Sequence, residues 1–224
     1  MTVIIGIDPH KSTHMAVAID DNERAIARLD VRADRSQTQR LLAWAAPLGE
    51  GRAWAVESAA GLGKLLSQQL IAAGEHVVDV PPTLAARVRL LGSTKSAKND
   101  GNDALSTAIA GLRHCDLRSV RGDGHSTVLR LLVGRYDDLT ASRTQAACRL
   151  HAVLRELVAG GAPRRLSADR AAKLLRSVRP NDLVAAERKT LAAALLTDVR
   201  RLDRELVAIK ARIADAVELD SERY

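Results

Sequence analysis

Val3-Ile4-Ile5-Gly6-Ile7-Asp8 is an apolar, mostly β-branched run that ends on a single carboxylate. Such a run predicts a central strand buried on both faces, with Asp8 at its end. A lone buried carboxylate is costly, so it needs a partner or a metal ion. Pro9-His10-Lys11-Ser12 then turns the chain into a second apolar run, Met15-Ala16-Val17-Ala18-Ile19. A connection this short predicts a hairpin, so the sheet begins with antiparallel pairing.

Working outward, Ala25 to Val31 reads as a third strand. Ser36 is placed to cap a helix from about Gln37 to Ala46, stopped by Pro47-Leu48-Gly49. Ala53-Trp54-Ala55-Val56-Glu57 is a short strand that ends on a carboxylate, as the first one does. Ala60 to Ala73 carries Leu62, Leu65, Leu66, Leu70 and Ile71 at helical spacing, and Gly74 terminates it. His76 to Val80 is a fifth strand, and Pro81-Pro82 opens another helix. Three strands followed by alternating helices and strands predict a mixed sheet with flanking helices, in the element order of the RNase H-like fold.

Residues Thr83 to Asn99 hold no acid and carry Arg87, Arg89, Lys95 and Lys98. Gly92-Ser93-Thr94-Lys95-Ser96 reads as a mobile loop. A helix from about Asp100 to Leu112 follows, with Asp100 and Asp103 three apart in its first turn and so on one side. Acidic residues there also serve simply as helix caps. Arg121-Gly122-Asp123-Gly124 marks a boundary, dividing the chain into residues 1–124 and 125–218, with 219–224 as a polar tail. The second part reads as helical throughout: an amphipathic segment with Leu129, Leu132, Leu139, Leu150 and Leu154, a break at Gly160-Gly161-Ala162-Pro163, and a helix from Ala168 to Ser177. The last helix carries Leu195, Val199, Leu202, Leu206, Ile209 and Ile213 in a heptad seam. A helical hairpin or coiled coil that pairs with a second copy is expected, making the protein a homo-oligomer; a bundle folded within one chain is the alternative.

The 224 residues carry a formal net charge of +7, mostly from Arg, a residue suited to bidentate phosphate contacts. An Arg-rich solvated surface would give the same balance. With no Phe, two Trp and two Tyr, base stacking is excluded as the main mode of nucleic-acid recognition. Cys115 and Cys148 form neither a metal-type spacing nor a disulfide framework, which fits a reducing, cytoplasmic setting. No apolar stretch approaches the roughly 20 residues of a membrane span, so no membrane partner is expected.

Asp8, Glu57, Asp100 and Asp103 are the acids that this element order would gather. Carboxylates at one point repel unless cations lie between them. Mg²⁺ prefers oxygen ligands and binds through carboxylates and substrate phosphates, with Mn²⁺ able to replace it. The basic stretch before Asp100 would hold a polyanion, and Lys11, beside Asp8, would neutralise a bound phosphate; a surface lysine in a turn is the alternative. His10 reads as a solvated turn residue.

The chain resembles the DEDD transposases of the insertion-sequence family IS-one-ten, the bridge-RNA-guided recombinases. GIDPHKST at Gly6 to Thr13 matches that family's first acidic motif, WAVES at Trp54 to Ser58 its second, and KNDGNDALSTAIA at Lys98 to Ala110 its paired-aspartate motif. LSADRAAKLLRSVRP at Leu166 to Pro180 and LLTDVRRLDREL at Leu195 to Leu206 match its helical middle region. The resemblance implies a RuvC-like domain with Mg²⁺ at the four acids, DNA and a guide RNA as partners, and a coiled coil. It also implies a second catalytic domain supplying a serine nucleophile. That domain would begin after Tyr224, and none of Ser58, Ser93 and Ser126 stands in the nucleophile motif. Three other readings compete. An actin-like sugar kinase would need Gly where Pro9 and His10 stand, and a second phosphate loop. A module that binds RNA and DNA without cutting, and a stand-alone junction resolvase, complete the set.

Overall fold

The computed structural model describes residues 3–92, 100–163 and 166–221, and divides into two units at Asp123 and Gly124. The first unit is built on a five-stranded sheet of order β3-β2-β1-β4-β5. Its strands are β1 (Val3–Pro9), β2 (Thr13–Ile19), β3 (Ala25–Arg32), β4 (Arg52–Glu57) and β5 (Val77–Val80). β1, β2 and β3 form an antiparallel meander, while β4 and β5 add in parallel on the other side of β1. This mixed order with helices on both faces is the RNase H-like arrangement. β1 is central, and every one of its residues is buried.

Alternation along β1 and β4 sorts the core into two layers. Val3, Ile5, Ile7, Trp54 and Val56 pack with Leu41, Ala45, Leu66 and Leu70 of α1 (Gln37–Ala45) and α2 (Lys64–Ala72). Ile4 and Ala55 on the opposite face pack with Ala85 and Val88 of α3 (Pro82–Gly92), and with Ala104 and Ala108 of α4 (Asp100–Arg113). A buried polar chain ties β2 to the first layer. The His14 imidazole bonds Gln37 Oε1 at 2.9 Å, Gln37 Nε2 donates to Gln69 Oε1 at 2.7 Å, and Thr38 Oγ1 donates to the same oxygen at 2.8 Å.

α4 lies unusually close to the sheet. A Cβ on Gly6 would sit 2.2 Å from the Ala104 carbonyl oxygen and 2.3 Å from the Ala108 nitrogen. One on Gly111 would sit 2.6 Å from Ala55 Cβ. Glycine and alanine on both partners therefore bring the helix backbone almost onto β1 and β4.

Several local expectations are corrected. The second helix begins at Lys64 rather than Ala60. Ser58 adopts a left-handed backbone (φ 52°), and its carbonyl accepts the Gly61 and Gly63 amides at 2.8 and 3.2 Å, so a turn consumes residues 58–63. Leu62 and Leu65 are consequently exposed. Ser36 does not cap α1; its amide and hydroxyl both donate to Asp34 Oδ1. Ser93 to Ser96 of the expected loop lie outside the described residues.

The second unit consists of α5 (His125–Leu157), α6 (Ala168–Ser177) and α7 (Leu183–Ser221). α5 and α7 run antiparallel: Arg135 bonds Glu205, Arg143 bonds Asp203, and Arg188 pairs with Glu156. Leu132, Leu139, Leu150 and Leu154 cover Leu196, Val199, Leu202 and Ile209. Leu195, Leu206 and Ile213 of the expected seam are only half-buried at its margin. The seam is thus covered within one chain. α7 continues to Ser221, so the first residues of the expected polar tail are helical; Ala216, near its end, still packs in the core.

The Gly6 contact gives a direct test. Gly6→Ala drives a methyl group into helix backbone that has no rotamer with which to yield. A loss of about 1–3 kcal/mol or more is expected, read as a lower urea midpoint; an unchanged midpoint would contradict the close approach.

Candidate functional site

β1 and β4 are parallel neighbours, so their carboxyl ends open at one edge of the sheet. Ile7 pairs with Val56, which makes the next residues, Asp8 and Glu57, neighbours across the two strands. By alternation, Asp8 shares a face with Ile4 and Gly6, and Glu57 shares it with Ala53 and Ala55. That face carries α4. Asp103 lies in the first turn of α4, one residue before the Ala104 carbonyl that meets Gly6. The same close packing that fixes α4 therefore brings its acidic end to the strand ends.

The electrostatics report this convergence. Burial, and then the charges of Asp8 and Asp103, hold the Glu57 carboxyl above its ordinary value. The Thr107 hydroxyl and the Arg89 guanidinium act in the opposite direction. Asp8 is 9% exposed, and the exposed His10 places Nδ1 3.7 Å from its Oδ1. Arg89 reaches from α3 to form an ion pair with Asp103. Next to Glu57, the Ser58 turn is locked from both sides. Its amide donates to the Val80 carbonyl at 3.1 Å, and the Ala59 amide donates to Asp79 Oδ1 at 2.8 Å. A Cβ on Gly63 would meet Val56 Cγ1 at 2.6 Å and Pro9 Cγ at 3.2 Å, so glycine lets the turn close against the end of β1.

Asp8, Glu57 and Asp103 are thus brought together. Asp100 opens α4, but its side chain, like Lys95 and Lys98, lies outside the described residues. Arg87 and Lys11 are exposed, whereas Arg89 is engaged by Asp103. Sequence reasoning missed Thr107, the Arg89 pairing and the left-handed Ser58. It also passed over Gly6, although a glycine inside a buried strand signals close backbone approach. Chemically, the donors are carboxylate oxygens, a hard set suited to divalent cations of the Mg²⁺ type.

A profile of the DEDD transposases of IS110 elements, described as a transposase, matches residues 5–159. The chain belongs to this transposase family. The match runs through Asp8, Glu57 and Asp103 and includes all of α5. The chain is 34% identical over 146 residues to a 42 kDa protein of insertion element IS900 from Mycobacterium paratuberculosis, covering 63% of this chain and 36% of that protein. It is 33% identical over 215 residues to a 44.8 kDa protein of insertion element IS116 from Streptomyces clavuligerus, covering 95% of this chain and 51% of the relative. The chain therefore spans between about a third and a half of the length of these relatives. Among solved structures, T. thermophilus RuvC in complex with a Holliday junction substrate is similar at 18% identity and a TM-score of 0.42, covering 54% of this chain and all of that one. Among the described residues no helix is long and apolar enough to cross a membrane.

The raised Glu57 carboxyl has a sign that can be measured. Glu57 binds its proton more tightly folded than unfolded, so its favourable contribution is full below about pH 4.5. That contribution is lost as pH rises through the higher folded value. In chelator, Glu57→Gln is expected to flatten this part of the stability–pH curve and to raise Tm at neutral pH. A Tm lowered by the substitution across that range would contradict the convergence.

Proposed function

We propose that Asp8, Glu57, Asp100 and Asp103 form the divalent-cation site at which this transposase acts on DNA phosphodiesters. Mg²⁺ is the expected ion, with Mn²⁺ able to replace it, and a guide RNA is the expected partner in target choice. The observation that carries the reading is the meeting of Asp8 and Glu57 at the paired ends of β1 and β4 with Asp103 in the first turn of α4, where burial and the charges of the other two acids hold the Glu57 carboxyl above its ordinary value. Carboxylates gathered at one point repel one another, and a doubly charged cation between them would relieve that repulsion. Held by these acids, a divalent cation would supply Lewis-acid polarisation of phosphodiester oxygens.

The residues present fit that group in chemistry, and they also resist it. Among the described residues no set of three His, Cys, Asp or Glu groups is already close enough to hold one ion. Arg89 partly neutralises the site by pairing with Asp103. In this reading Asp8 and Glu57 are the fixed acids, held by two paired strands. Asp103 is the acid released when Arg89 turns toward a substrate phosphate. Lys11, exposed in the turn after Asp8, would neutralise a phosphate of a polyanion bound at the same edge. The serine nucleophile implied by the family resemblance is assigned to no residue here, so these acids activate and orient while the covalent step belongs elsewhere in the whole transposase.

The Arg89–Asp103 pair also favours a second reading, in which this part of the protein binds nucleic acid without cutting it. Dimerisation through the helical unit belongs to both readings. Because the α7 seam is covered internally, a dimer would use other surfaces, such as the exposed Leu131, Leu191 and Val207.

Calorimetric titration with Mg²⁺ separates the two readings. Saturable binding that is lost in Asp8→Asn and strengthened in Arg89→Met is expected for a metal centre guarded by Arg89. Absence of binding in both the parent chain and Arg89→Met would leave the non-cutting reading. A second measurement addresses the protein's own chemistry: the chain alone is expected to form no covalent adduct with DNA on denaturing gels, and an adduct would overturn the assignment of the nucleophile elsewhere.

A further inference from the structure

The two edges of the sheet differ. At one edge β5 is covered by the chain that follows α4. The Asp79 amide donates to the Arg118 carbonyl at 2.9 Å, the Val120 amide donates to the Val77 carbonyl at 2.8 Å, and Ser119 bridges to Val78. At the other edge β3 ends the sheet, and no strand among the described residues pairs with its outer side. β3 is eight residues long and β5 four, where an ordinary strand has about five or six. β3 holds neither the Pro nor the Gly that would spoil further pairing. A long bare edge of this kind is a template for another strand.

The ladder with β2 fixes which backbone groups face outward. In an antiparallel pair, successive residues turn their N–H and C=O alternately toward the partner and away from it. The Ala33 amide donates to the Ser12 carbonyl at 2.8 Å, and Arg32 stands opposite Thr13. Val31, Leu29 and Ala27 therefore turn toward β2, while Arg32, Asp30 and Arg28 turn outward. The Arg32 carbonyl accordingly accepts from the Arg40 side chain, at 2.6 Å, rather than from β2. The register slips at Ile26, which has no partner on β2, so the regular stretch runs from Ala27 to Arg32.

The charges on this stretch select the occupant. Edge charges of one sign hold copies of a protein apart, because like charges directly opposite each other are destabilising. Arg28 and Asp30 are exposed, opposite in sign and placed symmetrically about Leu29. When two copies of β3 lie antiparallel with Leu29 facing Leu29, Arg28 of each stands opposite Asp30 of the other. Both residues point outward, so each such pair also exchanges two backbone hydrogen bonds. Ala27 falls opposite Val31. The half-buried Leu29 lies on the two-fold axis, at a non-hydrogen-bonded position where side chains approach more closely. An unrelated strand would need the reverse order of charges at the same spacing, whereas a second copy supplies it by symmetry.

We propose that the outer edge of β3 is a contact between two copies of this chain, paired antiparallel about Leu29 so that their sheets join into one. The inference goes beyond the functional reading above and does not depend on the metal site. The contact lies wholly in the first unit, and the joined sheet carries two copies of the acid cluster.

The test uses the full chain in chelator, without nucleic acid, and reads self-association by sedimentation equilibrium. Arg28→Asp and Asp30→Arg each set like charges opposite one another at two places. Each is expected to weaken self-association about tenfold or more. The double variant R28D/D30R reverses both pairs and is expected to return to within about threefold of the parent. A mixture of R28D with D30R is expected to form the mixed pair about as well as the parent pairs with itself, because each copy supplies the charge that the other lacks. Far-UV circular dichroism and melting curves establish that the variants stay folded. Hydrogen exchange on the parent chain gives a measurement that needs no variant: the Arg28 and Asp30 amides are expected to gain protection as protein concentration rises. A parent chain that stays monomeric at its highest soluble concentration would overturn the proposal. Self-association equally strong in R28D, D30R and the parent would place the contact elsewhere and overturn it. Failure of both the double variant and the mixture to recover would overturn the pairing about Leu29. Exchange at Arg28 and Asp30 that is indifferent to concentration would overturn the assignment to this edge.

Discussion

The contact between Gly6 and the backbone of α4 is the constraint on which the first unit depends. β-Branched neighbours make β1 a strong central strand, but a side chain at position 6 would hold the helix away. With hydrogen in its place, Ala104 and Ala108 settle directly on the strand. Gly111 repeats the arrangement against Ala55 one strand over. Close-packed small residues leave a helix little freedom to slide, because each contact is short and made by backbone. The acidic end of α4 is therefore located by glycine and alanine several residues away from it.

The gathering of carboxylates costs stability, and the surrounding structure offsets the cost in two ways. Rigid backbone holds the strand ends: β1 and β4 are paired in register, and Ser58 is pinned in a left-handed turn immediately after Glu57. A non-glycine residue in that conformation costs about 1–2 kcal/mol. It persists because β5, Asp79 and Gly63 determine the turn from several sides. Charge is the second means. Arg89 pairs with Asp103 and moderates the repulsion felt by Glu57, leaving a site that is acidic but incompletely neutralised.

The helical unit solves a different problem. α5 and α7 are long, and neither has an apolar face wide enough to stand alone. Paired antiparallel, they bury a leucine-rich seam and line up opposite charges at its borders. α6 covers part of that seam with two alanines and a leucine, which leaves its outer side free of structural duty. A small buried face and a cationic outer face are compatible on ten residues because helical periodicity separates them.

The sequence by itself determined the element order, the mixed sheet and the two acids that end strands, since burial on both faces of a strand demands an unbroken apolar run and a turn must follow it. It also carried the family in its ordered motifs. Only the tertiary structure decided which acids meet: Glu57 neighbours Asp8 because β4 pairs with β1 rather than with the far edge, a choice that neither strand's own pattern specifies. It likewise decided that Arg89 serves Asp103, and that α5 covers the α7 seam. Heptad spacing shows that a face must be buried, and gives no information about which helix will bury it. The start of α2 was misread for a related reason. Leu62 has helical spacing, but the left-handed Ser58 and the two amides bound to its carbonyl hold that segment in a turn, a local competition that apolar periodicity does not reveal.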